Sequence, residues 1–329
     1  MSESTNTMAG LLALNDRNLS PIEVSDILNN APVVRALFAQ KASEGGTTHK
    51  FQRDVTDPGV GFRLVNEGIT NATGTFDIVT LTCALLDGTV TRDKAVAMAY
   101  RKGAQAYMDM EGTKSLRAAF YALERALFAS GQNKQFTSLA GNPFFDQITV
   151  DSQVVNAGGS TAGATRSVWL LRSAEDGVSM IAGNEGRIDM AVEDATVQAR
   201  DASNRPYPAL MRSMLGWFNI QVGSKYDAAR IVNLDGTTGH TLTDQLIAQA
   251  AIKAKTGNPF NLIAMSKTSL FELWSSRTAT NPTGKEAEWP TGVMMPNGQI
   301  APILVTDGIP EDEAVINTTT TTTTTSTQA

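Results

Sequence analysis

Residues 47–88 are strand-like over almost their whole length, yet they offer no cleanly apolar face. The segments TTHKFQRDV, GFRLVNEGI and TFDIVTLTCALLDG follow one another, separated by turn-forming residues at 57–59 and 71–74. The stretch FRLVNEGITNATGTF, from Phe62 to Phe76, reads as a β-hairpin in which polar and apolar side chains share both faces. A two-stranded hairpin is only marginally stable by itself in water. We therefore predict a long two-stranded excursion that contacts a neighbouring subunit, because interfaces tolerate polar groups that a core excludes.

Two charged residues of this stretch sharpen the prediction. Arg63 and Glu67 are four positions apart, so an extended strand would place them on one face, about 13 Å from each other. Side chains at that separation cannot pair along the strand. Their partners are then expected on an adjacent subunit.

The residues before this segment form an arm with an apolar stripe of its own. Ser20-Pro21-Ile22-Glu23 is a capping box with proline at the first helical position, which predicts a helix from about Pro21. The apolar residues of this helix are Ile22, Val24, Ile27 and Leu28. A second helical piece is expected from about Pro32 to Ala42, and Gly45-Gly46 ends the arm. We predict that the arm is an assembly element with few contacts to its own core.

The longest helical run of the chain follows, from about Thr91 to Ser130. It carries two apolar stripes of helical spacing, one at Val96, Tyr100, Gly103 and Tyr107 and the other at Leu116, Phe120, Leu123 and Leu127. At about 100° per residue the two stripes lie on opposite faces. This change of face predicts a break in the helix near Gly112.

The remainder of the chain mixes strands and helices. Strands are expected at SVWLLRS (167–173), at VSMIAG after the Asp176-Gly177 turn, as a pair at WFNIQVGS and AARIVNL, and at NLIAMS and APILVTD. Helices are expected over Leu242–Lys255, with Thr241 as the cap, and over about Thr268–Arg277. This order indicates an α+β fold and not an alternating βαβ series. The Thr-rich tail has a low-complexity sequence that cannot build a core.

Composition narrows the classes of function. A hydrophobic content of 42% over 329 residues is ample for a core. The 33 acidic side chains outnumber the 27 basic ones, so the chain has no excess of cations for tight binding to nucleic acid. The single cysteine, Cys83, forms no intramolecular disulfide, and we see no leader-like N-terminal run, which indicates a cytoplasmic protein. No run of apolar residues is long enough for a transmembrane helix.

Catalytic signatures are missing from the sequence. His49 and His240 lie in polar, turn-rich stretches, where an exposed loop histidine is the commoner case. Cys83 sits in an apolar run and is expected to be a small core residue. The acids at 175–176 and 311–313 adjoin turns, where solvated carboxylates are the default. We therefore expect no catalytic residue, no cofactor and no metal.

Four segments, taken in order, carry a resemblance to a known family. These are GFRLVNEGI with the following DGTVTRDKA, then TRSVWLLRSAEDGVSMI, then AARIVNLDG, then APILVTDGI. Their order resembles that of tailed-bacteriophage major capsid proteins with the Hong Kong 97 fold, over about residues 47–317. The resemblance implies an N-terminal arm at 1–44, an extended loop (E-loop) at 45–88, a peripheral-domain spine helix at 89–134, an axial domain at 135–310 that returns to the peripheral domain, and a C-terminal tail at 311–329.

The resemblance also implies roles for individual residues. Contacts between subunits are expected at the E-loop residues Phe51, Arg53, Phe62, Arg63, Asn66, Glu67 and Phe76, and at the arm residues Ile22, Val24, Ile27 and Leu28. Arg230, Asn233 and Asp235 are expected to form a structural strand and turn. Some members of the family join Lys to Asn covalently, but the spacing around Lys50 identifies no partner for it.

The function implied is that of a coat protein. Copies are expected to associate as pentamers and hexamers into an icosahedral shell around double-stranded phage DNA, with only weak, non-specific contact with that DNA and none with a membrane. Because only about 44 residues precede the E-loop, a separate scaffolding protein is expected, together with a portal and possible decoration proteins. Such a protein is assembled in the host bacterial cytoplasm and ends in the virion. The alternatives are the shell protein of an encapsulin-type nanocompartment and a soluble α+β enzyme.

Overall fold

The computed structural model describes residues 30–44, 46–56, 59–68, 73–129, 134–149, 152–190, 194–281 and 286–317. These residues form five α-helices, namely α1 (Pro32–Ala36), α2 (Lys94–Met98), α3 (Ala104–Phe128), α4 (Asp244–Ala251) and α5 (Lys267–Thr280). They also form sixteen strands, which in chain order are β1 (Phe38–Lys41), β2 (Thr48–Thr56), β3 (Thr75–Thr82), β4 (Ala84–Asp87), β5 (Val90–Asp93), β6 (Val154–Asn156), β7 (Arg166–Leu171), β8 (Val178–Ala182), β9 (Asp189–Met190), β10 (Ala195–Arg200), β11 (Pro206–Arg212), β12 (Met214–Val222), β13 (Ala228–Leu234), β14 (Leu262–Met265), β15 (Gly292–Met294) and β16 (Ile300–Val305). The fold is α+β, as predicted. The predicted arm helix with Ile22, Val24, Ile27 and Leu28 and the Thr-rich tail lie outside the described residues.

The described chain divides into two compact units. The first comprises Arg35–Phe120 and Ala174–Ser224, and the second comprises Asn30–Val34, Tyr121–Ser173 and the residues from Lys225 onward. The helix α3 contributes to both units, because the division falls between Phe120 and Tyr121. The division is not linear in sequence, and the domain boundaries implied by the resemblance remain predictions.

Three sheets build the first unit. Their strand orders are β1-β8-β12-β4, with β9 also paired to β12, then β10-β11-β5, and then the pair β2-β3. Met108 of α3 packs with Val90 of β5 and Leu210 of β11 in a small apolar cluster. Arg212 of β11 adds buried polar contacts, since its Nη1 donates to Asp109 of α3 at 2.7 Å and its Nε to Asp194 at 2.8 Å. Apolar packing and ion pairs thus join the sheet β10-β11-β5 to the helix.

One six-stranded sheet, in the order β15-β16-β14-β7-β13-β6, organises the second unit. Side chains alternate between its faces. On one face, Val168 and Ile231 pack with Ile247 of α4 and Leu273 of α5. On the other face, the ring of Trp169 lies 6.1 Å from that of Phe128 and 5.8 Å from that of Phe145, measured between centroids. The sheet is therefore covered on both sides over its central strands.

The structure corrects the predicted end of the arm. Residues 38–41 form the strand β1 and not the last turn of a helix, so the helical piece that begins at Pro32 ends at Ala36. The strand pairs in parallel with β8, with Phe38 opposite Ser179 and Lys41 opposite Ala182. This pairing with a distant segment outweighs the local helical preference. The prediction that the arm makes few contacts with its own core is therefore wrong for residues 31–39, where Val33, Val34 and Leu37 are fully buried.

The predicted break in the long helix is in the wrong place. The helix α3 runs continuously through Gly112, and the break lies at residues 99–103, between α2 and α3. Gly103 makes this break possible because its φ of +92° is accessible to glycine at little cost. Gly112 lies beside Arg212, and a Cβ there would be 3.4 Å from the Arg212 side chain, which is an ordinary van der Waals contact.

Strand positions were predicted better than strand partners. The strands β7, β8, β14 and β16 confirm the predicted segments. The expected pairing of WFNIQVGS with AARIVNL is wrong, because β12 pairs with β4, β8 and β9 whereas β13 pairs with β6 and β7. The helices α4 and α5 are present, but α4 is shorter than predicted and its cap is Thr243, not Thr241.

Candidate assembly interface

The strands β2 and β3 form the predicted two-stranded excursion. They pair in antiparallel fashion from Thr48 opposite Thr82 to Thr56 opposite Thr75. Residues 62–68 form no strand and belong to the connection between β2 and β3. The excursion is therefore present, but the prediction that Phe62–Phe76 is itself the hairpin is wrong.

The hairpin tip, residues 59–68, folds back on itself in a tight turn. Asn66 adopts a positive φ of 69°, and the N–H of Glu67 donates to the carbonyl of Leu64 at 3.2 Å. The Glu67 carboxylate accepts from the N–H of Leu64 at 2.9 Å, and Nη1 of Arg63 donates to the Glu67 carbonyl at 3.0 Å. The expectation that Arg63 and Glu67 stand about 13 Å apart is therefore wrong, because it assumed an extended strand.

Apolar side chains of the hairpin tip point into solvent. The relative exposures are 94% for Val60, 109% for Phe62, 76% for Leu64 and 91% for Val65. Exposed apolar side chains that lie together in this way mark an interaction surface more often than scattered ones do. The tip therefore has the properties of a surface that another protein covers.

The two faces of the strands β2 and β3 differ. Phe76 and Ile78 lie on one face and are both exposed. On the other face, the Phe51 ring stacks on that of His49 at 6.0 Å, and Arg53 pairs with Asp77 at 3.5 Å. Of the predicted contact residues, those at the tip and Phe76 are exposed, whereas Phe51 and Arg53 are half-buried.

The base of the hairpin is fixed to its own unit by polar contacts. Nε2 of His49 lies 2.8 Å from Oε1 of Gln221 in β12, and the N–H of Ser43 donates to Nδ1 of His49 at 3.2 Å. The side-chain amide of Asn219 donates to the Thr82 carbonyl at 2.7 Å. His49 is thus a buried structural residue, and the expectation of an exposed loop histidine is wrong for it. Gln221 is distant in the chain, so the residues around His49 could not predict this partner.

Cys83 and His240 occupy different surroundings. Cys83 is buried at the base of the hairpin, and burial raises the pKa of its thiol to about 11, which fits the predicted core residue. His240 is partly exposed, with its Nδ1 3.1 Å from the Thr237 hydroxyl.

Among the residues that the structure describes, no three His, Cys, Asp or Glu side chains group as metal ligands. Within the same residues, no helix is both long and apolar enough to cross a membrane.

The helix α3 carries a fully buried carboxylate that was not predicted from the sequence. Glu124 accepts hydrogen bonds from the N–H groups of Val33 and Val34 at 3.1 and 3.2 Å, and from the hydroxyl of Thr306. Burial raises the pKa of Glu124 to about 7, although these hydrogen bonds act in the opposite direction. Glu124 thereby links the start of α1 and the end of β16 to the long helix.

The predicted strand and turn residues form a second polar network. Arg230 of β13 donates to the Phe145 carbonyl at 3.0 Å, to Ser167 Oγ at 2.9 Å and to Glu313 Oε2 at 2.9 Å. The Asn233 side chain bonds both backbone groups of Ile316. Asp235 accepts from Thr237 and Thr161, and these hydrogen bonds lower its pKa. The expectation that Glu313 is a solvated acid is wrong, because its side chain is 10% exposed and paired with Arg230.

Comparison with known proteins places this geometry in a family. A family model described as major capsid protein GP7 matches residues 16–278. A chain of bacteriophage Epsilon15 is similar over 96% of this chain and 98% of its own length, with a TM-score of 0.63 and 16% identity. A chain of the bacteriophage JBD30 capsid covers 82% of this chain and 88% of its own, with a TM-score of 0.46 and 11% identity. A chain of the SrpI encapsulin complex of Synechococcus elongatus PCC 7942 covers 69% of this chain and 95% of its own length, with a TM-score of 0.42 and 10% identity. No curated protein sequence matches this chain.

Proposed function

This chain belongs to the major capsid protein family GP7, and on that basis we propose that its copies join as pentamers and hexamers into an icosahedral shell around double-stranded DNA. The family is one of structural virion proteins that associate with themselves, and the fold is of the predicted Hong Kong 97 type. Membership in it favours the coat-protein function over the encapsulin and enzyme alternatives. No catalytic role is proposed.

The observation that carries the proposal is the exposed apolar tip of a hairpin whose base is anchored. Phe62 at the tip is fully exposed, so in the isolated subunit its ring contributes no free energy of apolar burial. Fully burying a side chain of this kind contributes about 1.5–3 kcal/mol, so a neighbouring copy that covers the tip gains a stable contact. We propose that Phe62, Arg63, Asn66, Glu67 and Phe76 meet an adjacent subunit.

Two further residue groups and the contact with DNA belong to the proposal. Phe51 and Arg53 are half-buried, and their contact with a neighbour would use only the part of the side chain that is exposed. The arm residues Ile22, Val24, Ile27 and Leu28 are proposed as a separate contact on the strength of their apolar stripe in the sequence. Contact with DNA is proposed to be weak, because a formal charge of −6 leaves no excess of cations.

The remaining partners are those that shell assembly requires. We propose a separate scaffolding protein, a portal and, in some shells, decoration proteins, with assembly in the cytoplasm of the bacterial host. Negative-stain microscopy of the purified full chain, produced with and without the other proteins of the same genome, tests the proposal. Closed shells are expected. Discrete small particles under both conditions would contradict a shell-forming function.

A further inference from the structure

The second unit exposes an acidic aromatic surface, formed by Phe271, Trp274, Glu286, Glu288 and Trp289. The ring of Trp289 stacks on that of Trp274 at 5.2 Å, and Phe271 lies 5.7 Å from Trp274 on the same helix, α5. Phe271 is 55% and Trp289 57% exposed. The indole N–H of Trp274 donates to the Ala287 carbonyl at 2.7 Å, which holds the segment against the helix.

Glu286 and Glu288 are exposed, and neither forms an ion pair within the part of the chain that the structure describes. Lys285, the next cation in the sequence, lies outside the described residues. Three exposed or half-exposed aromatic rings beside two acids that pair with no described residue form a surface that is apolar at its centre and negative at its rim.

The same unit exposes a basic surface, formed by Lys225, Tyr226, Ile252 and Lys255. The ammonium groups of Lys225 and Lys255 lie 5.0 and 5.4 Å from the centroid of the Tyr226 ring. Ile252, at the end of α4, is 71% exposed. Neither lysine is paired with a carboxylate among the described residues. This surface therefore has an apolar centre and a positive rim.

The two surfaces lie at opposite edges of one sheet. The acidic aromatic surface leads directly into β15, which is the outermost strand on one side. The basic surface adjoins α4, which packs against β13 and β6 on the other side, and Lys253 beside it donates to the Ser152 carbonyl at 2.6 Å. Five strand spacings of about 4.8 Å separate β15 from β6 by about 24 Å. Among the described residues, no ion pair and no ring contact joins the two surfaces within one copy.

We propose that the acidic aromatic surface of one copy binds the basic surface of the next copy, as the head-to-tail contact that closes a ring of subunits. The inference rests on the proposed function, because it requires that copies form rings. Pairing either surface with itself would bring like charges together, whereas pairing one with the other matches both sign and apolar centre. A contact between two different surfaces of identical copies generates a ring when the rotation from copy to copy closes, and an open filament when it does not. Trp and Tyr are also the residues that most often dominate such contacts.

Disulfide trapping tests the contact directly. The variant Glu288→Cys combined with Lys255→Cys is assembled as the full chain, exposed to a mild oxidant and separated on a denaturing gel. A head-to-tail contact gives a ladder of covalent oligomers. Each single variant gives at most dimers, and the native Cys83 is too buried to contribute. As a matched control, Glu288→Cys is combined with Ser203→Cys in an exposed turn of the first unit, which should give no ladder.

Charge reversal gives a second and independent test. Glu286→Lys with Glu288→Lys should lower the yield of sedimenting rings and shells at least tenfold, and so should Lys225→Glu with Lys255→Glu. The four substitutions together should restore the yield to within about threefold of the original, because the sign of each surface is exchanged. A fourfold variant that assembles no better than the worse pair would overturn the inference.

The outcomes separate this inference from the proposed function. Shells of normal yield that give only dimers in the trapping experiment would refute the head-to-tail contact and leave the shell function intact. A ladder from particles that never grow beyond single rings would support the contact and refute the closed shell.

Discussion

Replacing Phe62 by serine should reduce assembly and leave the folded subunit unchanged. The ring is 109% exposed, so its removal takes nothing from the core of the isolated chain. The expected change in the free energy of unfolding is below about 0.5 kcal/mol, as for other surface substitutions. If a neighbouring copy covers the ring, each contact loses about 1.5–3 kcal/mol of apolar burial. That loss lowers the association constant of each contact by about 10- to 150-fold.

Two measurements on the same sample check this prediction. Circular dichroism should give an unchanged melting temperature, and sedimentation should show that subunits accumulate at the expense of shells. The matched control is Val96→Ser on α2, which removes another exposed apolar side chain from the first unit and should not affect assembly. Wild-type shell yield for Phe62→Ser would refute the reasoning, and a large drop in melting temperature would show that the tip packs within its own subunit.

Three further predictions concern the buried polar groups and the arm. Arg230→Ala should cost about 3–5 kcal/mol in chemical denaturation, because Glu313 is left charged and buried, whereas Lys267→Ala in an exposed pair should cost less than about 1 kcal/mol. The pKa of Glu124 is raised from 4.5 to about 7 in the folded state, so the stability it contributes below pH 4.5 is lost as the pH rises to about 7. The loss is about 3 kcal/mol, and Glu124→Gln should remove this pH dependence from melting curves. Deleting residues 1–29 should leave the melting temperature unchanged and lower shell yield; loss of cooperative melting would show that residues 1–29 contribute to the core.

The positions of strands and turns were open to prediction because they depend on local residue choice. The strand β2 ends before the turn-forming residues at 57–59 and β3 begins after those at 71–74, but the middle strand predicted between these turns is absent from residues 59–68. The internal structure of the tip was not predictable in this way. It depends on the left-handed backbone of Asn66, and a strand pattern read over Phe62–Ile69 gives no indication of that conformation.

The helix break shows how one pattern can have two causes. The apolar stripes change face around Gly112, but the structure assigns the change to two helices, α2 and α3, joined at Gly103. Gly112 lies beside Arg212, which reaches Asp109 on the same helix. Arg212 lies a hundred residues away in the chain, so this contact could not be inferred from the helix alone.

The hairpin tip and the two sheet-edge surfaces should respond to salt in opposite ways. The exposed side chains of Val60, Phe62, Leu64 and Val65 are apolar, whereas Arg63 and Glu67 form hydrogen bonds within the tip. Salts such as sulfate strengthen apolar association. The sheet-edge contact depends on Glu288 and Lys255 as well as on its rings, and the Debye length falls from about 10 Å at 0.1 M to about 3 Å at 1 M salt. Rising sulfate should therefore lower the yield of wild-type rings, because ring formation needs the charged contact. Sedimentation across a sulfate titration measures this yield, and a monotonic gain in assembly would mean that the charges at the sheet edges contribute little to the contact.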